Sequence, residues 1–244
     1  MSTDSGSGKP APLDVEFRIV PALKQYVHKT KREVVWRIHG HDKMADKPYG
    51  PIFFSDLGAS RWDFRAPDPH DPYSAGVLCV GRIFEAAIVE TFGKQWPSVL
   101  APVSGLAPYA SARVLTPDDV DRKYMSRITV PEGLRLFDLT RLGAMSSIGH
   151  GLDAWITATK DYATTRTWAQ WFFRCKEIDG LIYSSRPGGA QTINFVLFNR
   201  PGVSSTLSFS STRARTLRQW PVRLAKAGRL LNFTVLPPLP APLP

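Results

Sequence analysis

Four side chains in this chain combine reactive types with suggestive settings. Arg37 lies in Trp36-Arg37-Ile38-His39-Gly40, and Arg61 in Ser60-Arg61-Trp62-Asp63. Glu90 lies near the end of the stretch Gly76 to Gly93, in Val89-Glu90-Thr91-Phe92, and Ser185 lies in Asp179-Gly180-Leu181-Ile182-Tyr183-Ser184-Ser185-Arg186. A strand arginine such as Arg37 is costly to bury without a partner. Two readings are open for it: an ion pair with Asp or Glu, or a planar fork that donates to phosphate or sugar oxygens. Arg61 follows a Gly-Ala-Ser loop, and two arginines together would neutralise the two charges of a pyrophosphate. Glu90 adjoins Ile88 and Val89, so it either faces solvent or stands at a site. In a site, a carboxylate can offset the positive charge of an oxocarbenium-like sugar. Glu85, an earlier turn of the same segment, is the competing carboxylate. Ser184 and Ser185 alternate along a strand, so only one of them faces a pocket. No Gly-x-Ser-x-Gly elbow surrounds either serine, which disfavours a Ser-His-Asp hydrolase.

Other chemistries find less support. His39 and His41 form a His-x-His with Asp42 and Asp46 nearby, but no third metal ligand is convincingly placed. His39 reads instead as a pocket-side neighbour of Arg37. Cys79 and Cys175, the two cysteines, form neither a C-x-x-C nor a zinc spacing, which fits a reducing cytoplasm. The formal net charge of +10 points to an anionic ligand, an acidic partner or nucleic acid, against the plainer reading of a solvated basic face. The strongest basic cluster is Arg213, Arg215, Arg218, Arg223, Lys226 and Arg229. Its aromatic interleaving is thin and no nucleic-acid motif accompanies it. It reads as a solvated or partner-docking face, and direct nucleic-acid binding is disfavoured. The most apolar region, Val77 to Phe92, is broken by Arg82, Glu85 and Glu90, so no membrane span is expected.

The elements that must position these groups are legible in outline. Val34–Ile38 and Gly76–Val80 read as strands, and Pro51–Ser55 as a short one. Ile83, Ala86, Ala87 and Glu90 recur at helical spacing, which predicts a helix over Arg82–Lys94. Ile128–Val130 and Leu134–Asp138 flank Pro131-Glu132-Gly133 as strand, turn and strand. Thr159–Lys176 reads as a helix capped by Thr159 or Asp161, with Trp168, Trp171 and Phe172 toward the core. Leu181–Ser185 and Thr192–Phe198 flank the Arg186–Gly189 turn, and a last pair includes Val203–Phe209. Pro221–Leu231 is a basic helix with Pro at its first position. Strands and helices mix without regular alternation, so the expected class is α+β, in a single domain. That domain spans 15–235, between a Ser/Gly/Pro-rich tail over 1–14 and a Pro-rich tail over 236–244.

In order and context, the segments carrying Arg37, Arg61, Glu90 and Ser185 resemble the RES domain family, named for its Arg, Glu and Ser. The resemblance runs from Val34 to Leu197. It implies an ADP-ribosyltransferase-like fold, a mixed β-sheet core with flanking helices. It also implies an NAD-consuming enzyme that cleaves the nicotinamide–ribose bond: an NAD glycohydrolase or phosphorylase, or an ADP-ribosyltransferase. By the same resemblance the protein is the cytoplasmic toxin of a toxin–antitoxin pair, with a helix-turn-helix antitoxin as partner and NAD as substrate. The family's Glu ends a run like this one, after Gly-Val-Leu-x-Val, which favours Glu90 over Glu85. Its Tyr-x-Ser-Arg pattern matches Tyr183, Ser185 and Arg186, and its Arg-Trp element matches Arg61. The resemblance implies Glu90 and Arg37 as catalytic, with Arg37, Arg61 and Ser185 binding NAD. One departure stands out. The family often carries a nicotinamide-stacking Tyr upstream of the second Arg, where this chain reads Tyr49-Gly50-Pro51-Ile52-Phe53-Phe54. Phe53 or Tyr49 takes that role here. Cys79 also stands where an aromatic is common, which keeps open an inactive scaffold. A basic nucleic-acid-binding protein is the alternative from another class.

Overall fold

The computed structural model describes residues 18–42, 47–48, 50–55, 61–64, 76–93, 113–148, 162–185, 192–209 and 214–237. The expected tail over 1–14, most of the tail over 236–244 and the Arg186–Gly189 turn lie outside them. The described strands are β1 (Val27–Lys29), β2 (Glu33–His39), β3 (His41–Asp42), β4 (Lys47–Pro48), β5 (Val77–Gly81), β6 (Arg113–Leu115) and β7 (Tyr124–Val130). They continue with β8 (Arg135–Asp138), β9 (Gly180–Ser184), β10 (Ile193–Phe198), β11 (Ser208–Phe209), β12 (Arg215–Thr216) and β13 (Phe233–Val235). The helices are α1 (Phe84–Phe92), α2 (Pro117–Asp121), α3 (Ala144–Ser147), α4 (Ala163–Arg174), α5 (Pro201–Ser204) and α6 (Pro221–Leu231).

Nine strands form the main sheet, in the order β1-β8-β9-β10-β5-β2-β7-β11, with β12 also on β7. Its pairs are antiparallel except β8 with β9. The architecture is the expected α+β, a mixed sheet with flanking helices.

Chain connectivity forces this sheet to bend over on itself. β1 and β2 stand first and sixth in the order, yet only Thr30–Arg32 join them. Five strand spacings of about 4.8 Å make roughly 24 Å, and three linking residues reach only about 10–14 Å. β7 and β8, joined by Pro131–Leu134, pose the same problem. Both links therefore run together around one corner. Thr30 binds it: its Oγ1 donates to the Pro131 carbonyl at 2.7 Å and accepts from the Leu134 amide at 3.0 Å. Its own amide and carbonyl pair with the Leu134 carbonyl and the Gly133 amide, each at 2.9 Å. Gly133 takes φ 94° there, a conformation that glycine adopts without strain. The strand–turn–strand expected here is thus no hairpin. β7 pairs with β2 and β8 with β1, because the Pro-Glu-Gly link turns a corner instead of reversing the chain.

The bend gathers one face of the sheet around Val35, Leu78, Val80, Ile128, Ile182 and Phe195. On the other face, α4 packs Phe172 against Phe137, with ring centroids 4.7 Å apart, beside Leu181, Tyr183 and Val196. Trp168 and Trp171 flank this cluster, half-buried. The same face carries α1 and α6, which share a cluster of Trp36, Phe84, Ile88, Phe92 and Leu224. Among the described residues no helix is long and apolar enough to cross a membrane.

Several boundaries differ from expectation. Pro51–Ser55 is not a strand; only Ser55 bridges, to Val77. α1 starts at Phe84 because Arg82 still follows the sheet, its amide donating to the Ile193 carbonyl. The N-cap of α4 is Tyr162, with no side-chain cap bond; Thr159 and Asp161 lie outside the described residues. Val203 is helical, in α5, not in a strand, since Pro201 at the first helical position favours a turn of helix. α6 has the predicted bounds.

The seating of α1 sets up the site. A Cβ on Gly81 would stand 2.3 Å from the Ala87 amide nitrogen and 2.8 Å from the Ala86 carbonyl carbon. Both are backbone atoms with no rotamer to yield. Gly81→Ala should therefore lower stability by about 1–3 kcal/mol, read as a lower urea midpoint. Gly202→Ala, with nothing within 4 Å, should hold the midpoint or raise it. Equal midpoints for Gly81→Ala and the parent protein would show that α1 does not rest on this strand.

Candidate active site

Register places Tyr183 of β9, Asn194 of β10 and Gly81 of β5 in one cross-strand row. Paired residues project from the same face, so the glycine leaves room for α1 while its neighbours reach toward it. Within α1 every residue is buried except Glu90 and Thr91, which are half-buried. The Glu90 carboxylate meets the end of β9: Ser185 Oγ donates to Glu90 Oε2 at 3.1 Å. Ser185 is 2% exposed, and its hydroxyl in turn accepts from Asn194 Nδ2. Its backbone is fixed by Thr192, whose carbonyl accepts from the Ser185 amide at 3.0 Å and whose Oγ1 donates to the Ser185 carbonyl at 3.3 Å.

Tyr183 stands beside the same carboxylate. Burial first, and the Glu90 charge next, push its phenol well above the ordinary range, so it stays protonated. Its hydroxyl closes no hydrogen bond of normal geometry with a described residue. The Arg61 guanidinium lies near enough to act in the opposite direction on Tyr183. Arg61 is held from its backbone, where its carbonyl accepts from Thr165 Oγ1 of α4 at 2.8 Å. The next residue, Trp62, is buried edge-on against Tyr183 with centroids 5.3 Å apart. Asp63 then accepts from Ser55 Oγ at 2.7 Å. The Arg-Trp-Asp run thus fastens a loop to both α4 and the segment before it.

Arg37 lies where the sheet parts. β2 and β5 share one register pair, Trp36 with Gly81, and beyond it β5 bridges to Ser55 instead. Arg37 spans the gap: its Nη1 donates to the Pro51 carbonyl at 2.9 Å and the Phe53 carbonyl at 2.8 Å. No carboxylate pairs with it among the described residues, which removes the ion-pair reading there. Burial draws this guanidinium down to about 10, with Cys79 opposing, so it remains cationic at neutral pH. The Nη1 protons are committed to the fold, while Nε and Nη2 make no bond to a described residue. That edge is the one that grips an oxyanion in bidentate fashion. Cys79 bears on the ionisation of both Arg37 and Tyr183.

Of the residues singled out from sequence, the fold thus brings Glu90 and Ser185 into contact and sets Arg61 beside their neighbour Tyr183. Phe53 is half exposed next to Arg37, and Tyr49 lies outside the described residues. His39 shares a hydrogen bond of 2.8 Å with Ser126 Oγ and stacks on Tyr124, a structural setting within β2 and β7. Glu85 is buried in the first turn of α1, where a carboxylate complements the helix dipole. No group of three or more His, Cys, Asp or Glu among the described residues is arranged to hold a metal. In the basic cluster, Arg218 pairs with Asp121, and Arg223 and Arg215 lie over the rings of Trp36 and Trp220. Arg213 lies outside the described residues. Sequence reasoning missed Asn194 and gave Tyr183 no role of its own. A polar residue inside Ile193-Asn194-Phe195-Val196-Leu197-Phe198, where strands disfavour Asn, was the available signal.

A search of curated proteins finds no match. Among solved structures, the chain is similar to one from the crystal structure of the M. tuberculosis MbcT–MbcA toxin–antitoxin complex. The two are 18% identical, the match covers 84% of this chain and 98% of that one, and the TM-score is 0.49. Residues 34–224 match the RES domain, a span that holds Arg37, Arg61, Glu90, Ser185 and Asn194. The chain therefore belongs to the RES domain family.

Proposed function

We propose that this protein consumes NAD by cleaving the bond between nicotinamide and ribose. The observation that carries this reading is the Glu90 carboxylate on a buried helix, accepting a hydrogen bond from the buried Ser185. In the reaction the C1′–N1 bond breaks and its electron pair passes to the nicotinamide nitrogen, cancelling that ring's positive charge. Nicotinamide leaves as a neutral molecule, so no strong general acid is required. Positive charge develops on the ribose as an oxocarbenium, and Glu90 offsets it and holds a ribose hydroxyl. An acceptor then attacks C1′ and gives up a proton. Water makes the protein a glycohydrolase, phosphate a phosphorylase, and a protein side chain an ADP-ribosyltransferase. Arg37, through its Nε–Nη2 edge, and Arg61 bind the pyrophosphate, and Phe53 stacks on nicotinamide. Ser185, buried and committed to Glu90, acts through the carboxylate rather than on the dinucleotide. Family membership supports the further reading of a cytoplasmic toxin restrained by an antitoxin of helix-turn-helix type.

Glu90→Gln should cut single-turnover nicotinamide release by about 10²–10³ while leaving NAD affinity nearly unchanged, because the lost charge acts mainly in the transition state. Glu85→Gln should remain active, with thermal melts showing both variants folded. If both variants are active, or the parent protein neither binds nor cleaves NAD with or without phosphate, the reading fails.

The two arginines should separate by a second readout. Arg61→Lys should weaken NAD binding by about 1.5–3 kcal/mol, since an ammonium cannot make the bidentate contact. Arg37→Lys should weaken binding and also lower the melting temperature, because it gives up the bridge to Pro51 and Phe53. Calorimetric titration with NAD, beside thermal melts, checks both. Full affinity in Arg61→Lys would remove that residue from the site.

A further inference from the structure

We infer that Asn194 is a positioning residue of this site: its side-chain amide, by donating to Ser185 Oγ, commits the one Ser185 hydroxyl proton to Glu90. The inference rests on the proposed role of Glu90, but the geometry behind it does not. Asn194 is fully buried on β10, in the cross-strand row that α1 covers. Its Nδ2 lies against Ser185 Oγ and 3.4 Å from the Thr192 carbonyl oxygen. A carbonyl only accepts, so Thr192 decides which end of the amide is the donor. With Nδ2 toward Ser185, the hydroxyl must accept from Asn194. Its single proton is then left for Glu90 Oε2, 3.1 Å away. Turned the other way, the amide would take that proton for itself and leave Glu90 Oε2 without the Ser185 donor, with only the protonated Tyr183 phenol beside the carboxylate. The direction of the chain Asn194 to Ser185 to Glu90 is thus set at its buried end.

The fold bears a cost for this arrangement. Asn194 Oδ1 is buried without a hydrogen bond to a described residue, an unfavourable state for a carbonyl oxygen. A β-branched residue at this strand position would avoid it. An Asn here does nothing for the apolar packing of β10 that Val or Thr would not do as well. What it adds is a donor pointed at Ser185. The consequence is a carboxylate held in one orientation before the dinucleotide arrives, so that no reorganisation is needed as charge develops on the ribose.

The test uses the full chain and two readouts. In protein without NAD, the Asn194 side-chain amide is followed in ¹H–¹⁵N spectra and assigned by its loss in Asn194→Ala. Its signal should move in Ser185→Ala and also in Glu90→Ala, although the structure shows no bond between Asn194 and Glu90. A residue that only packs would not respond to Glu90. In NAD turnover, Asn194→Ala should lower kcat by about 10–100-fold, the range for partners that orient a reacting group from behind, with KM nearly unchanged. Added to Ser185→Ala, it should cost little more, because both act through one chain. Asn194→Leu, of similar size and branching but with no donor, should be at least as slow as Asn194→Ala. An Asn194 signal that does not move in Glu90→Ala would overturn the inference, as would losses that multiply in the double variant. If the signal moves but the parent protein does not cleave NAD, the hydrogen-bond chain stands and the proposed reaction fails.

Discussion

The distance of closest approach between α1 and the sheet governs the rest of this molecule. At Gly81 the helix backbone comes down onto the strand until there is no room for a methyl group. Every later feature depends on that contact. It buries α1 on nearly all sides. It leaves Glu90 as one of two positions in α1 that are not buried. And it brings the carboxylate within hydrogen-bond reach of β9, two strands from β5, because Tyr183, Asn194 and Gly81 share one row. The carboxylate is therefore placed by packed backbone rather than by a loop, a setting in which rigid orientation costs little at the moment of reaction.

The arginines show a related economy. Arg37 bridges β2 to the segment that takes β2's place beside β5, so one side chain closes the split in the sheet and carries charge into it. A guanidinium drawn down by burial and facing no carboxylate among the described residues is short of an anion. Arg61 is fixed differently, through its backbone to α4 and through Trp62 against Tyr183.

Much of this was visible in the sequence, and the parts that were not have physical reasons. The helix read over Arg82–Lys94, which forms at Phe84–Phe92, and the strand before it at Gly76–Val80 follow from local apolar spacing, which depends only on near neighbours. The contact of Glu90 with Ser185 joins residues 95 positions apart; it was approached only through the order of motifs, since no local pattern encodes it. Which of Glu90 and Glu85 reaches the end of β9 depends on how α1 is turned on the sheet, and it is Glu90 that contacts Ser185. Asn194 was overlooked because one amide in an apolar strand carries no spacing signal. The strand, turn and strand around Pro131–Gly133 were legible, but their partners were not, because turn chemistry is the same whether the two strands then pair with each other or with different neighbours. The segment Pro51–Ser55 has strand-like residues but follows β5 at a single bridge, an outcome fixed by the parting of β2 from β5.

The corner tied by Thr30 has a consequence for how this chain reaches its native state. Thr30 and its partner Pro131 are 101 positions apart, yet on either side of them β1 pairs with β8 and β2 with β7 in continuous order. The entropy of closing that long loop grows only slowly with its length, and here it is met once for two ladders. When either ladder forms, the other finds its partner a few residues away and can zip without a further search. The fold accordingly combines a slow, non-local first step with a fast, local second one. The three-residue link at Thr30–Arg32 thereby couples the two ladders, so a change there bears on folding rate as well as on stability.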